Sequence, residues 1–203
     1  MSGDAVAREP ARLAAARFSA APDALLVQRA ATEPRVVRNS RQAIDWNTCG
    51  QAAAATVLIA RAVAPYLTLN DGDAIDRLRA SHPPDVPFGL GTSAFRMLAA
   101  LRAHGLDARL LHSGVGGLGL PPVLSAVRAA LLAGDPVPVC VDEGLLGERR
   151  WGAHWAILLG VDEQGAWLGN AGRSEPLAWP MFMRAWRCRH LPYGHNHAAL
   201  LIR

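Results

Sequence analysis

The chain carries its most informative sequence at residues 45–51, Asp-Trp-Asn-Thr-Cys-Gly-Gln, and again at residues 151–155, Trp-Gly-Ala-His-Trp. The first stretch places Cys49 at the start of an Ala-rich run with helical character. The second places His154 at the open end of an apolar, strand-like run, and Asn170 follows at the end of the next such run. A thiol, an imidazole and an amide side chain can together perform nucleophilic catalysis if the fold brings them into contact.

Around these stretches, helical patterns fill the first half of the chain and strand patterns fill the second. Capping residues, Gly and Pro bound four predicted helices, at about 49–64, 74–80, 93–104 and 121–133. Runs rich in apolar residues predict strands at about 106–112, 136–141, 154–161, 166–170 and 198–202. Residues 162–165, Asp-Glu-Gln-Gly, predict a hairpin turn. This segregation predicts an α+β fold.

The length of 203 residues suits a single domain of two lobes with a tail. Residues 1–40 are rich in Ala and Arg and interrupted by Pro10 and Pro22, so we expect an N-terminal arm that packs late or not at all. Residues 41–203 form the predicted domain, with a helical lobe at about 41–135 and a sheet lobe at about 136–203. The hydrophobic content of 51% excludes a chain that is disordered throughout.

Targeting features and cysteine usage predict a cytoplasmic protein. The chain contains no run of apolar residues long enough for a membrane span, and its first thirty residues lack the pattern of a secretory signal. The three cysteines stand at unrelated positions and suit a reducing compartment. Export by a route that uses no such signal stays open.

The net charge of +4 comes from arginine alone, because the chain contains no lysine. Apart from the pair Arg149-Arg150, the arginines are scattered singly, without a dense basic run, so we do not expect a nucleic-acid partner. Residues 188–197 contain a Cys-x-His-x4-His-x-His pattern, but its spacing is not that of zinc sites. We therefore expect no metal and no organic cofactor. The sequence does not define an oligomeric state.

Cys49 is the candidate nucleophile. A cysteine in the first turn of a helix lies among unpaired backbone N–H groups at the positive end of the helix dipole, and both lower the pKa of its thiol. Gly50 beside it is expected to leave room for a substrate carbonyl. The alternative is that Cys49 is a small buried apolar residue. Of the other thiols, Cys140 is expected in the core, and Cys188 lacks a helix start.

His154 is the candidate base, because an imidazole at the open end of a strand can reach a helix terminus packed on the sheet. Asn170 is the candidate for holding the ring in its reactive orientation, since the hairpin brings the two strand ends together. Asp162 competes for this role, but the turn should carry it to the far end of the hairpin. Asn170 could also be an ordinary turn residue.

Cys-Gly at a helix start, then His, an aromatic residue, four apolar residues and Gly-Val-Asp, then a turn and Asn, resembles the papain-like cysteine peptidases. The sequence is most similar to the bacterial branch whose peptidase domains trim double-glycine leader peptides from bacteriocin precursors. Gly91-Thr92-Ser93 and the segment 123–142 are also similar to that branch. The resemblance covers about residues 40–175. It implies a papain-like fold, with a helical lobe packed on a small antiparallel sheet, and a Cys49-His154-Asn170 triad that hydrolyses peptide bonds without a cofactor.

The same resemblance implies a glutamine upstream of the nucleophile that binds the oxyanion. The family has it six residues before the cysteine, where this chain has Ala43; Gln42, seven before, is the first candidate and Asn47 the second. Thr48 also stands where that branch often has Asp, and Asn170 where it often has Asp. Three tryptophans near the proposed site are expected to line the substrate cleft or to pack the lobes together: Trp46, Trp151 and Trp155.

Other functions remain compatible with these residues. The expected partner is a peptide or protein substrate, but the same triad supports acyl transfer to an amine, as in transglutaminases, or cleavage of a non-peptide amide. A protein of a different class would be a non-catalytic peptide-binding module with this fold, and the displaced glutamine favours it. A role as a bacterial toxin or effector is also compatible.

Overall fold

The computed structural model describes residues 35–38, 47–85, 91–114, 119–146, 152–162, 164–169, 176–188 and 196–202. These ranges contain five α-helices: α1 (Cys49–Ala60), α2 (Asp71–Ser81), α3 (Ala94–Ala103), α4 (Leu120–Leu132) and α5 (Trp179–Trp186). They also contain six strands and a 3-10 helix (Glu143–Leu146): β1 (Ala108–Leu111), β2 (Val137–Asp142), β3 (Ala153–Val161), β4 (Gly165–Gly169), β5 (Leu177–Ala178) and β6 (Ala199–Ile202).

Local sequence signals explain where several helices begin. The Asn70 side chain accepts a hydrogen bond from the Asp73 N–H at the start of α2, and Ser93 does the same for Arg96 at the start of α3. Helix α1 has no such side-chain cap. It is Ala-rich and buried over residues 49–58, so packing on all sides stabilises it instead.

The six strands form one sheet in the order β1-β6-β2-β3-β4-β5, and every neighbouring pair is antiparallel. Strand β3 is the longest and lies between β2 and β4. Val141 in β2 pairs with His154, and Gly169 in β4 pairs with Ile157. The sequence of β3 is almost continuously apolar because the strand is buried on both faces of the sheet.

Helices cover both faces of this sheet. Alternate residues of β3 point to opposite sides, so that Trp155 and Ile157 join the hydrophobic cluster with α1, α2 and α3. Ala156 and Leu158 join a second cluster with α4 and α5. The predicted α+β class is confirmed. The helices are less segregated than expected, because α4 and α5 pack on the face opposite to α1.

Helix α5 is the main element that the sequence patterns did not predict. Its core side chains recur at i, i+3, i+4 and i+7, namely Trp179, Phe182, Met183 and Trp186. Pro180 lies in the first turn, where the missing N–H costs no helical hydrogen bond. Pro180 therefore marks the beginning of this helix, and the pattern could have been recognised as amphipathic.

The predicted hairpin turn is confirmed between β3 and β4. The Asp162 carboxylate accepts hydrogen bonds from the Gln164 and Gly165 N–H groups at 2.8 and 2.9 Å. Gly165 is required at its position, because a Cβ there would lie 2.0 Å from the Leu177 carbonyl oxygen. Within the described ranges, no helix has both the length and the apolar character needed to cross a membrane.

His197 is a buried histidine before β6, with a side chain that is 3% exposed. Its Nδ1 lies 2.7 Å from the Ser113 hydroxyl, and its ring packs edge-on against Trp186. Burial, with a smaller contribution from the Arg187 charge, lowers the pKa of His197 to about 4. The folded protein therefore holds this imidazole in its neutral form.

We expect His197 to make the free energy of unfolding depend on pH. Between about pH 6.5, the ordinary histidine pKa, and about pH 4, only the unfolded chain binds the proton, so stability falls as the pH is lowered. The full shift corresponds to about 3 kcal/mol. Urea unfolding of His197→Asn, which also tolerates the φ of +54° at this residue, should show a shallower slope over this window. His112→Asn, at an exposed histidine, is the control; equal slopes for His197→Asn and wild type would contradict the expectation.

Candidate active site

Cys49 is the first residue of α1 and is 6% exposed. Because the first N–H groups of a helix have no partner within the helix, the thiol lies among backbone donors and at the positive end of the dipole. The helix begins here because the Thr48 carbonyl accepts the Ala52 N–H at 3.0 Å. The position is thus suited to a negatively charged sulfur.

The structure brings Cys49 and His154 together. Burial alone raises the pKa of the Cys49 thiol, but a hydrogen bond to the His154 ring, its charge and the Trp155 backbone N–H outweigh burial. The pKa therefore lies below its usual range. The start of strand β3 supplies both partners, the His154 ring and the backbone N–H of the next residue, Trp155. A thiol held in this way can form a thiolate that is paired with an imidazolium.

Glu143 is a further charged residue at the site that the sequence patterns did not identify. Its Oε1 lies 3.8 Å from the His154 Nδ1, and the two side chains are 20% and 12% exposed. The Glu143 charge acts against the thiolate and raises the pKa of Cys49 by a smaller amount than the other causes. The available signal was its position directly after β2, which the sequence had predicted as a strand.

A contact with Thr92 fixes the start of α1 against β3. A Cβ on Gly50 would lie 2.6 Å from the Thr92 Cβ, so only glycine allows this approach without a shift. The Thr92 carbonyl accepts a hydrogen bond from the Trp155 indole at 2.8 Å, and its hydroxyl donates to the Gln51 side chain at 3.0 Å. Thr92 therefore connects the residues that follow Cys49 and His154.

This contact bears on two expectations from the sequence. Gly50 was expected to leave room for a substrate carbonyl; on the side where a Cβ would stand, that space is occupied by Thr92. For Trp155 the sequence left two roles open, lining the cleft or packing the lobes together; the residue is 2% exposed and lies in the core between the sheet and α1, which fits packing. Gly50 and Trp155 therefore contribute to the packing beneath the site.

The remaining predicted residues are placed as follows. Asn47 lies half-buried in the turn before α1, two residues from Cys49. Asp162 lies at the other end of β3 from His154, about 26 Å away at the usual rise per residue. Four predicted residues lie outside the described ranges: Gln42, Trp46, Trp151 and Asn170.

The other two thiols lie in the core. Cys140 is 1% exposed, as the sequence predicted, and Cys188 is also 1% exposed. A hydrogen bond to Cys188, together with burial, raises the pKa of Cys140 well above its usual range. In the described part of the chain, no group of three or more His, Cys, Asp or Glu side chains could hold a metal. His190 and His195 lie outside that part.

No family model matches the chain, and no curated protein is significantly similar to it. The chemistry of the site is therefore argued from its own residues.

We expect Gly50→Ala to destabilise the fold by about 1–2 kcal/mol, because the new methyl group overlaps Thr92 by more than the helix gains from alanine. Thr92→Gly removes the overlapping atoms, so Gly50→Ala should cost at least about 1 kcal/mol less in that background. Urea unfolding of the two single variants and the double variant measures this coupling. Additive effects would show that the contact does not constrain α1.

We expect His154→Ala to raise the pKa of the Cys49 thiol, because burial then acts almost unopposed. The rate of Cys49 alkylation by iodoacetamide at pH 6 should fall at least about tenfold, since one pKa unit is a tenfold change in thiolate. Peptide mass analysis assigns the modified cysteine, and buried Cys140 is the internal control. His112→Ala should leave the rate unchanged. An unchanged rate in His154→Ala would show that the imidazole does not activate Cys49.

Proposed function

We propose that this protein is a papain-like cysteine peptidase that hydrolyses a peptide bond at Cys49. One observation carries the proposal: although Cys49 is buried, contact with His154 holds the pKa of its thiol below the usual range. A structural cysteine in an apolar core has a raised pKa instead, as Cys140 does. An activated thiol beside an imidazole at a helix start is typical of enzymes that form acyl-thiol intermediates.

In the proposed reaction, the Cys49 thiolate attacks the carbonyl carbon of the scissile amide. The backbone N–H of Cys49 and a side-chain amide, from Gln42 or Asn47, stabilise the oxyanion. The His154 imidazolium gives its proton to the leaving amine as the C–N bond breaks, which leaves an acyl-enzyme. Neutral His154 then takes a proton from water, the hydroxide attacks the thioester, and the carboxylic acid and the thiolate are released.

The architecture supports this proposal independently of the pKa. A buried helix presents its N-terminus to the first residues of the central strand, and the nucleophile and base come from these two elements. Strand β4 ends at Gly169, which pairs with Ile157 of β3, three residues after His154. This order is compatible with the proposed role of Asn170 in orienting the imidazole. The domain boundaries, the peptide partner and the cytoplasmic location stay predictions.

Cleavage of a proteome-derived peptide library tests the proposal. We expect the wild-type protein to produce new peptide N-termini that share a sequence preference, and Cys49→Ala to produce none, because hydrolysis needs the thiolate. Mass spectrometry of the digests provides the measurement. Cys188→Ala is the matched control, since it removes a buried thiol that is not part of the proposed triad and should leave the cleavage pattern unchanged.

The same assay separates the alternative functions. Cleavage that is equal in wild type and Cys49→Ala would overturn the proposal. Addition of a primary amine diverts the acyl group to an amide product if acyl transfer prevails over hydrolysis. Peptides that bind with equal affinity to wild type and Cys49→Ala, but are never cleaved or transferred, would instead support a binding module.

A further inference from the structure

We propose that Glu143 is a positioning residue for His154, whose carboxylate stabilises the imidazolium and thereby extends the pH range of the Cys49–His154 pair. The inference rests on the proposed function of this pair. Glu143 lies outside the Cys49-His154-Asn170 set, and it approaches the ring from the 3-10 helix that follows β2. The proposal about Glu143 rests on the 3.8 Å separation between Glu143 Oε1 and His154 Nδ1.

The backbone fixes Glu143 at this position. Asp142 and Ala153 form the last pair of the β2–β3 ladder, and the Glu143 N–H then donates to the Gly152 carbonyl at 2.9 Å. At the other end of the 3-10 helix, Leu146 is buried in the hydrophobic cluster with α4 and α5. Both ends of this short element are therefore held, and Glu143 lies two residues beyond Val141, the residue that pairs with His154.

Partial burial makes this interaction stronger than an ordinary surface ion pair. The side chains of His154 and Glu143 are 12% and 20% exposed, whereas the exposed pair Arg109–Asp107 is 47% and 58% exposed at the same distance of 3.8 Å. Exposed pairs contribute little because water and salt screen them. The Glu143 carboxylate therefore has the greater effect on the charge of its partner.

Charged groups act on His154 from more than one of the elements packed around it. Cys49 approaches from α1 and Glu143 from the 3-10 helix. Asp142 is adjacent in sequence, but its Oδ1 accepts the Gly144 N–H at 3.0 Å within its own turn. Glu143 favours the imidazolium and disfavours the thiolate. Its removal should therefore shift both ionisations to lower pH.

The rate of Cys49 alkylation by iodoacetamide, measured from pH 4 to pH 10, reports both ionisations without a substrate. The lower inflection marks formation of the thiolate, and the upper one marks loss of the proton from the imidazolium. In Glu143→Gln we expect the upper inflection to move down by about 0.5–1 pH unit, and the lower one to move in the same direction by less. Glu143→Asp keeps the charge and should restore most of the wild-type profile.

Asp107→Asn removes one negative charge at an exposed site and is the control for net charge; its profile should match that of the wild type. Glu143→Gln inflections that coincide with the wild-type values would overturn the proposal, even if the overall rate falls, because a purely structural residue changes the rate without moving the profile. Circular dichroism confirms that each variant is folded. The peptidase proposal is tested by a different experiment: peptide cleavage that persists in Cys49→Ala would contradict it, whatever the alkylation profile of Glu143→Gln.

Discussion

The close approach of Gly50 to Thr92 is the constraint on which the candidate site depends. It seats the N-terminus of α1 against the segment before α3, and the Thr92 carbonyl in turn holds the Trp155 indole. Trp155 also gives its backbone N–H to the Cys49 sulfur. A displacement of α1 by about 1 Å would lengthen the contacts of the sulfur with both residues of β3, and errors of this size commonly cost catalytic groups much of their effect. The residues that pack α1 against the sheet are therefore also the residues that position Cys49.

Burial and charge act against each other at Cys49, and the balance lowers the pKa of its thiol. An apolar environment alone would keep the sulfur protonated, as it does at Cys140. The same environment strengthens the attraction between thiolate and imidazolium, because few water molecules screen it. Glu143 adds a third charge that favours the imidazolium more directly than it disfavours the sulfur. The three charges alternate in sign, so each stabilises its neighbour, and His154 occupies the central place.

The sequence predicts the elements that are governed by local patterns, and it misses those that depend on tertiary contacts. Helix α1 and strand β3 lie close to their predicted ranges, because an Ala-rich run and a continuous apolar run each favour one structure. Glu143 was missed because its position directly after a predicted strand does not show which residue of the connection faces His154. For Trp155, which adjoins His154, the sequence left lining the cleft and packing the lobes both open; its ring lies in the core, because neighbouring residues in a strand point to opposite faces. In both cases the position in the sequence alone did not determine the contact.

Coverage of both sheet faces by helices explains why the site lies at the end of β3. Along the middle of the strand every side chain is enclosed by one of the two clusters, so an imidazole there would be held neutral and away from substrate, as His197 is in its own buried position. At the start of the strand the chain enters through Gly152, whose φ of +147° is accessible mainly to glycine. The Gly152 carbonyl accepts the Glu143 N–H just beyond the last pair of the β2–β3 ladder, Asp142–Ala153, so that His154 lies one pair inside the end of the sheet. The imidazole is therefore buried enough to interact strongly with its charged neighbours and open enough to exchange a proton.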